Sequence, residues 1–128
     1  MAKFSDLHLQ LEMAAETFHK EETEENGNCV VRELKKLIEE DKELLFEGVK
    51  GPNGMTPGGF YSSDGRFYFH IFSSRMHLQN LSGEAMVAGA GQLWKLVEQN
   101  DIVGGFSLNH KDEEGAILIT REEITDLQ

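Results

Sequence analysis

The chain has 128 residues, 39% of them apolar, eight Phe and a formal net charge of −11. That size suits one domain burying roughly two-thirds of its unfolded surface, and the apolar fraction excludes a disordered chain. The acidity is spread along the sequence, seven basic against thirteen acidic residues over 1–50 and five against ten over 51–128, which opposes binding to nucleic-acid phosphates or to an anionic membrane surface.

In chain order, Phe4, Leu7, Leu11, Ala14 or Ala15 and Phe18 recur at helical spacing. Leu9 and Met13 widen that apolar surface beyond one stripe, as burial on two sides or a partner-facing surface would require. The run Glu21–Glu25 is a solvated end to this helix, and Asn26-Gly27-Asn28 is expected to stop it. A second helix is expected from Cys29 to Lys42, capped by Asn28, with Val30, Val31, Leu34, Leu37 and Ile38 inward. The short break makes the two a helical hairpin over 1–43.

Leu44–Val49 reads as a first strand, and Gly51–Gly59, with both prolines and four glycines, as a loop. Asp64-Gly65 between Phe60–Ser63 and Arg66–Phe72 is a hairpin signal. A two-residue turn sets Tyr61 opposite Tyr68 and Phe60 opposite Phe69. Phe60, Phe67, Phe69 and Ile71 then share a core face, and Tyr61, Arg66, Tyr68 and His70 share a half-wet one. Ser73 or Ser74 starts a short helix through Leu81. Gly83–Gly91 is ambiguous between strand and helix, and its glycines favour a strand over Ala85–Ala88. Gln92–Asn100 is a helix with Leu93, Trp94, Leu96 and Val97 packing.

Ile102–Leu108 and Ala116–Ile119, joined by the polar run 109–114 and Gly115, read as a second hairpin. Its apolarity places it centrally, covered on both faces. Thr120-x-x-Glu123 is a capping box for a last helix bearing Ile124 and Leu127. The whole is an α/β (α+β) chain, with a mixed sheet of about five to six strands over 44–128 and helices packed against it.

From Phe67 onward the chain resembles the N-terminal domain of the SseB family of bacterial proteins. The matching features are the strand ending Phe72-Ser73-Ser74, the Leu93…Leu96-Val97 helix before Asp101, the Gly105–Asn109 strand end and the close at Arg121-Glu122-Glu123-Ile124. The match covers about half the chain. One departure is His110, where the family places Pro after the strand-end Asn. The resemblance implies a single small α/β domain, non-catalytic and bacterial, without catalytic, cofactor or metal residues to transfer.

Localisation and chemistry follow from the side chains. The single Cys29 cannot form an intramolecular disulfide, and charges interrupt every apolar run of MAKFSDLHLQLEM. No stretch approaches the roughly twenty apolar residues of a membrane span, so the expectation is cytoplasmic. Cys29, at an expected helix start among acidic neighbours, reads as an inert thiol. His110 beside Asn109 and Asp112 forms a polar-loop site without metal-ligand spacing. Tyr61, Arg66, Tyr68 and His70, with Leu9 and Met13, are the candidate contacts for an unidentified protein partner or a second copy; the hairpin face could equally lie under the first two helices. The leading expectation is a non-catalytic binding or regulatory domain. The alternative is a small-molecule-binding or hydrolytic enzyme with a pocket near Gly51–Gly59 and His70.

Overall fold

A computed structural model describes residues 3–52, 54–74, 78, 83–110 and 116–126, with side chains from residue 9 onward. Arg75–His77, Gln79–Ser82 and Lys111–Gly115 lie outside that description. So do most of the short helix expected through Leu81, Leu127 and Asp112.

Helices α1 (Lys3–Lys20) and α2 (Glu24–Glu39) form the expected helical hairpin. Their boundary is earlier than the sequence suggests. Thr23 caps α2, its hydroxyl accepting from the Asn26 N–H at 3.1 Å, and Glu24 and Glu25 complement the positive end of the helix dipole. Asn26-Gly27-Asn28 is therefore helical, and Cys29 lies inside α2 instead of at its start. Burial of Val30, Val31, Leu34 and Leu37 outweighs the weak helix propensity of that triplet.

The sheet has seven strands among the described residues: β1 (Glu43–Gly51), β2 (Gly54–Pro57), β3 (Gly59–Tyr61), β4 (Phe67–Phe72), β5 (Glu84–Gly89), β6 (Val103–Leu108) and β7 (Ile117–Thr120). Helix α3 (Ala90–Gln99) precedes β6, and α4 (Arg121–Asp126) follows β7. The main path runs β2-β1-β4-β6-β7, with β5 on β1 and β3 on β4. β4 and β6 are parallel and the other pairs antiparallel, so the sheet is mixed.

The expected loop at Gly51–Gly59 is a turn flanked by strand. Gly51 pairs with Gly54 around Pro52, and β1 and β2 continue on either side. Pro52 and Gly54, the latter at φ +109°, suit a reversal, and reversal between pairing segments makes a hairpin. Beyond Leu45↔Phe72 and Phe46↔Ile71, β1 and β4 diverge. The β2–β3 segment enters between them: the Gly58 N–H donates to Glu47 O at 2.7 Å, and the His70 N–H donates to Gly58 O at 2.9 Å.

The β3–β4 hairpin differs from expectation by one residue. The Ser62 N–H donates to Arg66 O and the Gly65 N–H to Ser62 O, both at 2.9 Å, with Gly65 at φ +82°. This is a three-residue loop with a glycine bulge. Phe60 consequently pairs with Tyr68 and Tyr61 with Phe67, which exchanges the faces of Phe60 and Tyr61.

One sheet face carries Leu44, Phe46, Phe69, Ile71, Phe106, Leu108, Ile117 and Ile119, packed in a single cluster with Leu11, Ala15, Val31, Leu34, Leu93, Val97 and Ile124 from the four helices. The helices therefore cover this face. Every residue of β6 is buried, as expected for an inner strand, but β7 ends the sheet path and Ile102 is 53% exposed. The second hairpin is thus half inner and half edge. Gly83–Gly91 resolves as strand β5 running into α3. Among the described residues no helix is long and apolar enough to cross a membrane.

Candidate functional site

The alternation of β4 points Tyr68, His70 and Phe72 to the sheet face away from the helix cluster, where they are buried. Ser107 is the β6 partner of His70 and shares that face. Glu47 is the next β1 residue after the Phe46↔Ile71 pair, so it meets His70 across the β2–β3 insertion. Phe60 and His110 supply two further rings. His70 stacks on His110 with centroids 4.1 Å apart and planes 18° apart, and on Phe60 at 5.6 Å and 12°. The result is a three-ring stack on the second sheet face, with one buried carboxylate beside it.

Its electrostatics favour neutrality. Burial, then the neighbouring His110, push the His70 pKa down to about 4, against a smaller upward pull from Glu47. Glu47 Oε1 is 3.9 Å from His70 Nε2, beyond hydrogen-bond reach, and Glu47 Oε2 accepts the Gly83 N–H at 2.6 Å. The buried His70 Nδ1 and Ser107 Oγ have no hydrogen-bond partner among the described residues. A histidine titrating near 4 is a poor general base at neutral pH. No three metal-ligating side chains converge among the described residues.

At the ends of β4 and β6, Asn109 forms a clasp. It adopts φ +58°, which asparagine tolerates better than most residues. Its Oδ1 accepts the Ser73 N–H at 2.8 Å and its Nδ2 donates to Ser73 Oγ at 2.9 Å. Ser73 Oγ in turn donates to Glu12 of α1. The expected polar-loop site therefore separates: Asn109 is a buried structural residue, His110 belongs to the ring stack, and Asp112 lies outside the described residues.

The expected contact residues also separate. Tyr68 and His70 are 1% and 5% exposed, whereas Tyr61 is 67% exposed on the other side of its strand. Arg66 is held by the chain itself. Its Nη1 reaches both Glu122 oxygens at 3.0 and 2.8 Å, its Nε reaches Asp64 at 3.2 Å, and the Tyr68 hydroxyl donates to Asp64 Oδ2 at 2.7 Å. These bonds raise the Arg66 pKa and lower those of Glu122 and Asp64, while burial and the same Asp64 raise Tyr68. Leu9 and Met13, 52% and 51% exposed, lie one helical turn apart on α1, opposite buried Leu11 and Ala15.

Sequence reasoning missed Glu47, Phe60, Ser73 and Ser107. A charge within the apolar run Leu44-Leu45-Phe46-Glu47 was the available signal for the first. The other three depend on register. Comparison with protein-family models, curated proteins and solved structures finds no match to this chain.

Proposed function

We propose that this chain is a small SseB-like domain of the bacterial cytoplasm that acts without catalysis, through contact with a protein partner or a second copy of itself. The observation that carries this reading is the outer face of α1. Leu9 and Met13 are half exposed on a helix whose opposite face already reaches the core through Leu11 and Ala15. Apolar side chains beyond the needs of packing are what an interface supplies. The neutral, buried state of His70 and the internal pairing of Arg66 support the same reading, because neither group is presented for chemistry. A photo-reactive residue placed at Met13 in living bacteria should give one discrete adduct, either with another protein or with a second copy. The same residue at exposed Glu98 of α3 should give none. Equal labelling at both positions, or none at either, contradicts the proposal.

A second reading rests on the orphaned His70 Nδ1 and Ser107 Oγ, side by side on β4 and β6. Two buried polar atoms without partners suit a small polar ligand bound between the Gly51–Gly59 segment and the ring stack. Binding there should move the His70 ring resonances in a fragment screen and be lost in His70→Phe. A screen that never moves them counts against this reading.

A further inference from the structure

The outer edge of the sheet at β7 faces a cavity of about 320 Å3, walled by Phe18 of α1, Glu22 of the α1–α2 turn, Glu24 of α2, the edge residue Leu118 and Glu123 of α4. Among the described residues β7 pairs with β6 alone, and it ends the sheet path. The direction of its backbone groups follows from Thr120. The Thr120 N–H donates to the Glu123 carboxylate at 2.9 Å and so points away from β6. Alternation along an antiparallel strand sends the N–H and C=O of Leu118 the same way, toward the cavity. The Leu118 side chain, 40% exposed, projects from the sheet face away from the helices. An edge strand presenting a donor and an acceptor along a walled groove, with an exposed apolar side chain on its other face, has what strand addition by an extended peptide requires.

Charge selects the occupant. Among the described residues Glu22, Glu24 and Glu123 line the cavity, no Lys or Arg does, and no cation lies within ion-pair distance of those three carboxylates. A second copy of a chain carrying −11 is a poor match for this rim. We infer that the β7 edge binds a short extended segment of a partner protein in which basic and apolar residues alternate. The segment would pair its backbone with Leu118, turn its basic side chains toward Glu22, Glu24 and Glu123 on the helix side, and lay its apolar ones beside Leu118 on the other face of the sheet. This surface lies on the opposite side of α1 from Leu9 and Met13, so the inference stands apart from the function proposed above.

The test uses the full chain and a fluorescein-labelled alternating Lys-Val hexapeptide at low salt. The control is the same peptide N-methylated at its central residues, which keeps charge and length but removes backbone donors. The unmodified peptide should bind, with backbone amide shifts centred on residues 117–119. N-methylation, Leu118→Pro and the double change Glu22→Gln/Glu24→Gln should each weaken it at least about tenfold, the effect of roughly one hydrogen bond. Proline suits this position because the lost N–H points outward from an edge strand. If Leu118→Pro does not fold, the two peptides compared on the unaltered chain remain decisive. Equal affinity for both peptides, shifts centred elsewhere, or no binding at all would overturn the inference.

Discussion

His70 and Asn109 carry the sharpest consequences at the scale of single residues. An unfolded histidine titrates near 6.5, whereas His70 in the fold titrates at about 4 because burial disfavours its cation. The folded pKa lies below the unfolded one. The contribution is therefore complete above pH 6.5 and is lost as pH falls from 6.5 toward 4, where the unfolded chain takes up the proton first. It amounts to no more than about 3 kcal/mol. Following the His70 ring protons by NMR should give a midpoint far below those of exposed histidines, and a midpoint near 6.5 would refute the assignment. Asn109 makes a different kind of demand. In Asn109→Ala the buried Ser73 N–H loses its acceptor and alanine is left at φ +58°. Urea unfolding should show a loss of about 2–4 kcal/mol, the sum of an unsatisfied donor and a left-handed backbone. Asn109→Gly should recover the backbone part alone, and equal losses in the two variants would contradict this division.

At the scale of elements, the capping box is the feature most directly legible in the sequence. The Glu123 N–H donates to Thr120 Oγ1 at 3.1 Å, and Glu123 Oε1 accepts the Thr120 N–H in return. Thr120→Ala should cost about 1 kcal/mol by thermal or urea unfolding, and an unchanged midpoint would mean that tertiary packing alone fixes α4. The reason this motif could be read is that its partners lie three residues apart. The β3–β4 register could not be read in the same way. Asp64-Gly65 announces a turn, but a third loop residue reverses which of Phe60 and Tyr61 faces His70, and only the hydrogen bonds from Ser62 and Gly65 distinguish the two cases. The α2 boundary failed for a related reason. Asn-Gly-Asn reads locally as a helix break, while Thr23 and the burial beginning at Val30 carry the helix through it. Periodicity found the helical hairpin, and the glycines of Gly83–Gly91 pointed to the β5 strand. Neither signal could find the ring stack, which joins residues from β3, β4 and the segment after β6.

For the whole molecule, a net charge of −11 sets the response to salt. Raising ionic strength from about 0.01 to about 0.15 M shortens the screening length from about 30 to about 8 Å. Self-repulsion among the carboxylates should weaken more than the close Arg66–Glu122 and Arg66–Asp64 pairs do, so the melting temperature should rise. A fall would show that those ion pairs dominate. The parallel contact between β4 and β6 has a consequence for how the molecule is made. Phe67 pairs with Val103 and Ile71 with Leu108, so the centre of the sheet joins residues more than thirty positions apart. While the chain leaves the ribosome, β4 must wait for most of the later sequence before its second neighbour exists. Until then it exposes an aromatic strand with one edge open, and translation speed across that interval governs how long the nascent chain is exposed to aggregation.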